Sequence, residues 1–257
     1  MAIIFGDLEG IELVLRVCKK SQVQIEAIVP SKKHWSLFDE NQIRNRINIE
    51  LLTPIIAPET KAIFDFINTH NISVGIINSF DFILDACIVE NSKIRILNVH
   101  GGKLPEYRGA NVLNWAIIRG EEEIGVTFHL VDRLIDTGPI IFESKLKINK
   151  VDTALTLQKR MAVEIEDKLY KLLPLFIENK LLYKKQSTIN ANYHKKRKPE
   201  DGLFDWTFSD EQIYNLIRGL VYPWPGARYY DRSGQLIVID QFMAMEDIKS
   251  LRKLECT

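Results

Sequence analysis

Residues 2–29, AIIFGDLEGIELVLRVCKKSQVQIEAIV, decide the fold class. They open with a short apolar run that stops at Gly6 and close with a second apolar segment at 23–29. Between these two segments, residues 10–20 carry apolar side chains at helical spacing. The order strand, helix, strand is the βαβ opening of a parallel sheet.

The same alternation continues towards the C-terminus. The pattern predicts further helices at 59–70, 84–90, 110–119 and 153–173, and further strands at 72–77, 94–99, 125–131 and 140–148. We therefore predict an α/β protein with a Rossmann-like, mostly parallel sheet and helices on both faces.

The composition shifts near residue 185, where a polar and basic stretch begins. Residues 210–220 then predict a helix, and the turn sequence DRSG at 231–234 predicts a β-hairpin. We expect two domains, a catalytic domain at 1–185 and a small C-terminal subdomain at 186–257 that consists of a helix and a β-hairpin.

Charge and composition exclude several classes of function. The 257 residues contain 34 basic and 34 acidic side chains, and a net charge of zero argues against nucleic-acid binding. No apolar run reaches the roughly 18 residues of a membrane span, and the N-terminus lacks the features of a signal peptide. The three cysteines are widely spaced, which fits neither a disulfide framework nor a metal site. We expect a cytoplasmic protein with no metal and no membrane partner.

Residues that could carry chemistry lie at the end of the strand predicted at 94–99. Asn98 and His100 are two positions apart along this strand, so their side chains point to the same side. They lie at the carboxyl end, where parallel sheets bind ligands. An amide donor beside an imidazole can polarise a carbonyl oxygen and stabilise its developing negative charge. The alternative is a structural histidine beside a turn-forming asparagine, and the pattern alone favours neither.

A second segment of interest, 132–141, has the sequence DRLIDTGPII. Asp136 opens a turn that Gly138 and Pro139 fix. Such an aspartate usually accepts backbone N–H groups in an Asx turn. The functional alternative is a carboxylate that orients His100 and takes part in proton removal.

Taken in chain order, the motifs resemble one family, the formyltransferases that use 10-formyltetrahydrofolate. The resemblance lies in Asn-x-His at 98–100, Leu-Pro-x-Tyr-Arg-Gly at 104–109, Gly-Val-Thr at 125–127 and Asp-Thr-Gly at 136–138. Asn98, His100 and Asp136 match the three catalytic positions of that family. Residues 198–202, 205–206 and 223–227 resemble the region that follows the core in methionyl-tRNA and sugar-nucleotide formyltransferases.

The resemblance also implies a folate site, with 10-formyltetrahydrofolate as co-substrate. In the family, the pterin lies against the loop after the strand that precedes the catalytic one. The residues implied in this chain are Ser79, Phe80, Asp81, Phe82 and Ile83, with Asp132 on the opposite wall. Phe80 and Phe82 could instead be core aromatic residues.

Branches of the family differ in the amine that accepts the formyl group. Methionyl-tRNA formyltransferases carry a further C-terminal domain, which needs on the order of 100 residues. Only about 30 residues follow the Pro-Trp-Pro-Gly motif at 223–226. The resemblance therefore favours a nucleotide-linked amino dideoxysugar, dTDP-linked, for surface polysaccharide such as O-antigen, and a homodimer formed through the hairpin. The alternatives are a methionyl-tRNA enzyme without its C-terminal domain and a non-catalytic nucleotide-sugar-binding module.

A nucleotide sugar needs cations for its diphosphate and an aromatic face for its base. Lys33 is one candidate cation, and Trp224 is equally compatible with the core of the C-terminal subdomain. The residues we expect to contact the acceptor are Lys103, Tyr107, Arg108, Trp35, Tyr222 and Trp224. The residues after His100 are Gly101, Gly102 and Lys103, where many family members have a serine-containing stretch. The resemblance therefore does not define the residues of the acceptor pocket.

Overall fold

A computed structural model describes residues 1–47 and 53–256. The first half of the chain contains β1 (Ala2–Gly6), α1 (Leu8–Lys20), β2 (Ile25–Pro30), α2 (Lys32–Leu37), α3 (Glu40–Ile47), α4 (Thr60–Thr69), β3 (Val74–Asn78), α5 (Ala86–Val89) and β4 (Arg95–His100). The second half contains β5 (Arg108–Gly109), α6 (Val112–Ile118), β6 (Glu123–Leu130), β7 (Ile140–Lys147), α7 (Ala154–Ile177), β8 (Tyr193–His194), a 3-10 helix (Pro199–Gly202), α8 (Asp210–Gly219), β9 (Ala227–Tyr230), β10 (Leu236–Ile239) and α9 (Met245–Cys256).

The chain divides by compactness into two units. The first unit comprises Met1–His100, Val126–Ser144 and Ala162–Asn190, and the second comprises Gly101–Gly125, Lys145–Met161 and Ala191–Thr257. The predicted domain boundary lies between residues 185 and 186. The division into compact units does not test this boundary, which stays a prediction.

A mostly parallel sheet forms the centre of the fold. In the described ranges it has six strands in the order β2-β1-β3-β4-β6-β7. The pairs β1–β2, β1–β3 and β3–β4 are parallel, whereas β4 pairs with β6 antiparallel. All residues of β1 and β3 are buried, as expected for central strands of a parallel sheet. The predicted α/β class with a mostly parallel sheet is confirmed.

The parallel register brings several strand ends together at one edge of the sheet. Gly6 pairs with Asn78, and Asn78 pairs with Val99, so β1, β3 and β4 finish side by side. The chain approaches itself closely here, because a Cβ on Gly6 or Gly10 would lie 2.3 Å or 2.4 Å from the Asn78 carbonyl oxygen. Glycine at both positions lets helix α1 begin against the end of β3.

Asp7 caps helix α1 at the same edge, where its carboxylate accepts the Gly10 N–H at 2.7 Å. Burial raises the pKa of Asp7 from 3.8 to about 6, and the Gly10 hydrogen bond opposes this shift. The folded protein therefore binds more protons than the unfolded chain between these two pH values. Its stability contribution falls as the pH rises from about 4 to about 6, and the loss is complete above that range.

We expect Asp7→Asn to stabilise the protein at pH 7 by up to about 3 kcal/mol, because the amide accepts the same bond without a buried charge. The measurement is urea denaturation of both proteins from pH 4 to pH 8. The advantage of the variant should appear between about pH 4 and about pH 6 and stay constant above it. The control is Asp39→Asn, at an exposed aspartate that accepts the Gln42 N–H. A variant that gains nothing as the pH rises would contradict the raised pKa.

The second unit has its own apolar core. Phe204, Ile213, Ile217 and Tyr229 are buried in it, and the hairpin β9–β10 packs Ile237 and Ile239 against it. The predicted helix and hairpin are therefore confirmed.

The structure adds three helices that the sequence did not predict, α2, α3 and α9. Helix α9 contributes one buried residue, Ile248, and no residue of α2 in the described chain is buried. Both helices lack the broad apolar face that makes a helix recognisable from sequence. Across residues 1–47 and 53–256, no helix is both long and apolar enough to cross a membrane.

Candidate active site

Strand β4 places Asn98 and His100 on one face of the sheet. Its antiparallel partner β6 puts His129 directly opposite Asn98 and Thr127 opposite His100. Because cross-strand partners share a face, the side chains of Asn98, His100 and His129 project from the same side. His100 and His129 are 7% and 2% exposed.

Asp136 reaches this cluster from the turn between β6 and β7. Its carboxylate oxygen Oδ1 accepts a hydrogen bond from Asn98 Nδ2 at 3.3 Å. Its other oxygen, Oδ2, lies 3.6 Å from His100 Nδ1. The structure thus brings together the amide, the imidazole and the carboxylate that the motifs singled out. Their catalytic roles stay predictions.

His129 is a member of this cluster that sequence reasoning missed. Its Nδ1 lies 2.8 Å from the Leu130 carbonyl oxygen, which can only accept, so Nδ1 carries the proton. Its Nε2 then accepts from Asn98 Nδ2 at 3.0 Å. Asn98 is therefore held between His129 and Asp136. The only sequence signal for His129 is its place two residues after Thr127 on one strand face.

The turn that carries Asp136 is organised by its own polar groups. Asp132 Oδ1 accepts from the Leu134 N–H at 3.1 Å and from Thr137 Oγ1 at 2.6 Å. Asp136 itself has a φ of +54°, in the left-handed region that favours glycine. Asp132, predicted as a wall of the folate pocket, thus has a direct part in shaping the turn.

The predicted folate loop follows β3. The ring of Phe80 lies 5.5 Å from that of Phe5 and 6.1 Å from that of Phe82, and both loop rings pack against the core of the first unit. The interpretation of these two residues as core aromatics is therefore supported by the packing. Ile83 is 68% exposed, and the Ser79 carbonyl accepts the Asp7 N–H at 2.8 Å.

Asp81 of the same loop lies at an open cavity of about 470 Å³ in the first unit. Its carboxylate accepts the backbone N–H of Lys32 at 2.7 Å and of Lys33 at 3.3 Å. The cavity is lined by Lys32, Lys33, Trp35, Ser36, Pro58, Glu59 and Asp81. A predicted folate-binding residue and two candidates for the acceptor, Lys33 and Trp35, thus share one cavity.

The other acceptor candidates belong to the second unit. The Tyr107 hydroxyl donates to Glu121 at 2.7 Å, and the Tyr107 ring stacks on His194 at 4.6 Å. Burial, followed by the Glu121 carboxylate, raises the pKa of Tyr107 to about 12. Both ends of this side chain are therefore engaged within the unit.

The remaining candidates of the second unit differ in how well they are held. Lys103 Nζ lies 3.0 Å from Glu106 Oε1, and Arg108 lies on β5 opposite Tyr193. Tyr222 is 73% exposed, whereas Trp224 packs against the core of this unit. The interpretation of Trp224 as a core residue is therefore supported. No group of three or more His, Cys, Asp or Glu side chains in the described chain is arranged to hold a metal ion.

Comparison with known proteins gives two family matches. The Formyl transferase model matches residues 1–173, and the model of the Formyl transferase C-terminal domain matches residues 196–242. The bifunctional polymyxin resistance protein ArnA of Wigglesworthia glossinidia brevipalpis is 38% identical over 168 residues. That match covers 65% of this chain but only 26% of the relative.

Solved structures share the fold over nearly the whole chain. A sugar N-formyltransferase from a Shewanella species has a TM-score of 0.76 at 19% identity, covering 95% of this chain and 97% of the other. A 4-N formyltransferase from Francisella tularensis has a TM-score of 0.73 at 18% identity, covering 95% and 98%. An N-formyltransferase from Helicobacter canadensis, in complex with folinic acid and dTDP-3-aminofucose, has a TM-score of 0.66 at 24% identity, covering 86% and 80%. With the match over residues 1–173, the chain belongs to the formyl transferase family.

Proposed function

We propose that the protein transfers a formyl group from 10-formyltetrahydrofolate to the amine of a nucleotide-linked amino dideoxysugar. The convergence of Asn98, His100 and Asp136 carries this proposal, because it joins an oxyanion donor, an imidazole and a carboxylate on a formyl transferase fold. A dTDP-linked acceptor is supported by the N-formyltransferase from Helicobacter canadensis, which shares the fold and is described in complex with dTDP-3-aminofucose.

The first step is attack of the neutral sugar amine on the formyl carbon. This forms a C–N bond and places negative charge on the formyl oxygen. Asn98 Nδ2 exchanges its bond to Asp136 or His129 for one to that oxygen, and His100 donates a second hydrogen bond. Because His129 and Asp136 already orient the Asn98 amide, this exchange of one hydrogen bond is the reorganisation that the amide needs.

The second step moves a proton and breaks the old bond. Asp136, directly or through one water molecule, takes the proton from the attacking nitrogen and orients His100 meanwhile. The same proton then goes to the folate nitrogen as its bond to the formyl carbon breaks. The carboxylate ends in its starting state, so the site is ready for another turnover.

The two substrates need separate contacts. We assign the folate to the loop of Ser79, Asp81 and Ile83, which borders the first-unit cavity. Lys33 and Trp35 of that cavity offer a cation and an aromatic face to an anionic ring compound. Lys103, Arg108 and Tyr222 remain proposed acceptor contacts.

The biological setting is also part of the proposal. We propose a cytoplasmic homodimer whose product enters surface polysaccharide such as O-antigen. The hairpin supports the dimer contact, because Tyr230, Leu236 and Val238 lie exposed on it. The oligomeric state is measurable by sedimentation of the purified protein.

The activity is tested by incubating the protein with 10-formyltetrahydrofolate and a panel of dTDP-, UDP- and GDP-linked amino sugars, with methionyl-tRNA as a further acceptor. We expect one dTDP-amino sugar to gain the mass of one formyl group. Asp136→Asn is the control variant, because formyl transfer that it retains does not depend on the proposed site. Formylation of methionyl-tRNA alone would contradict the proposed acceptor, and sugar binding without transfer to any acceptor would contradict an enzyme.

A further inference from the structure

Gln186 is a buried polar residue that the reaction described above does not use. It is 9% exposed, whereas its neighbours Lys185 and Ser187 are exposed. Lys184 and Ile140 exchange two backbone hydrogen bonds of 2.8 Å, which align this segment with the start of β7. The Gln186 side chain therefore enters the turn between β6 and β7.

The amide nitrogen of Gln186 binds both sides of that turn. Its Nε2 donates to the Asp136 carbonyl oxygen at 2.9 Å and to the Gly138 carbonyl oxygen at 2.8 Å. An amide NH₂ has two hydrogens, so one group satisfies both carbonyls. These two bonds fix the backbone immediately around the carboxylate that contacts Asn98 and His100.

The turn needs such support because Asp136 adopts an unfavourable backbone conformation. A residue with a Cβ is strained in the left-handed region, and the φ of Asp136 is +54°. The opposite side of the turn is fixed by packing, since a Cβ on Gly138 would lie 1.9 Å from the Leu130 carbonyl oxygen. Without Gln186, the backbone of Asp136 would lose the contact that holds it from the other side.

We propose that Gln186 is a positioning residue for Asp136, which it holds within reach of Asn98 and His100 through the main chain of the turn. The inference about catalysis rests on the proposed function, whereas the inference about geometry does not. The predicted consequence is that Gln186 affects turnover only through Asp136.

The kinetic test compares Gln186→Met, which keeps the length but removes the donors, with the neighbouring Lys185→Met as control. We expect Gln186→Met to lower kcat by about 10- to 100-fold, the range for a slightly misplaced catalytic group, with KM for both substrates nearly unchanged. In an Asp136→Asn background the same change should cost almost nothing further, because the group it positions is already inactive. An unchanged kcat, or a full additional loss in that background, would overturn the proposal.

A second measurement needs no substrate, so it separates this inference from the proposed function. The carboxyl carbon resonance of Asp136 is followed by NMR in the wild type, Gln186→Met and Lys185→Met. We expect a shifted resonance only in Gln186→Met, even if no acceptor is ever found. An identical Asp136 resonance in all three proteins would refute the positioning role. If Gln186→Met does not fold, Gln186→Glu takes its place. That variant should recover kcat relative to wild type as the pH falls and its carboxyl regains a proton to donate.

Discussion

Replacing Asp136 with asparagine will lower kcat by about 100- to 10,000-fold, the range for loss of a general acid–base group. Asparagine keeps the size of the side chain but cannot take a proton from the attacking amine. In the wild type, the Asp136 carboxylate oxygens lie 3.6 Å from His100 Nδ1 and 3.3 Å from Asn98 Nδ2. The asparagine side chain places no negative charge beside these two groups.

Initial rates at saturating concentrations of both substrates measure this effect. Asp65→Asn, an exposed change on α4, is the matched control and should keep wild-type kcat. Equal thermal stability of the Asp136→Asn variant and wild type would show that the loss is chemical. A variant within a few-fold of wild-type kcat would remove Asp136 from the reaction.

Truncation of Asn98 to alanine is expected to lower kcat by about 100- to 1,000-fold, as for loss of one oxyanion donor. The structural reason is that Asn98 is the amide donor of the cluster, already oriented by His129 at 3.0 Å and Asp136 at 3.3 Å. KM for the folate should change little, since the donor acts on the oxyanion rather than on the ground state.

The same assay measures this variant, with Asn41→Ala on α3 as the control at an exposed asparagine. Tetrahydrofolate binding by titration calorimetry would show whether the site is otherwise intact. Near-normal turnover by Asn98→Ala would mean that another group stabilises the oxyanion.

The sequence predicts the fold well where apolar residues repeat with a clear period. The strands β1 and β3 are largely apolar runs, and the hairpin β9–β10 is marked by its turn residues. The sequence does not predict helix α9, because its single buried residue, Ile248, leaves almost no periodic signal.

The candidate site likewise contains residues that the sequence predicts and residues that it does not. Asn98, His100 and Asp136 were found because each lies in a short motif, but nothing local marks their supporting residues. His129 matters only through its antiparallel register with Asn98, and Gln186 only through contacts with residues about 50 positions earlier in the chain. Such long-range contacts depend on tertiary structure, which one sequence does not display. For Tyr107, the motif marked the position, whereas its bonds to Glu121 and its stacking on His194 required coordinates.

The most direct measurement is the structure of the protein bound to the accepted amino-sugar nucleotide and to a non-transferring analogue of 10-formyltetrahydrofolate that carries its formyl group at the N10 position. We predict that the formyl oxygen lies about 2.7–3.1 Å from Asn98 Nδ2, with the sugar amine beside the Asp136 carboxylate. A formyl group that instead lies away from Asn98, His100 and Asp136 would contradict the account.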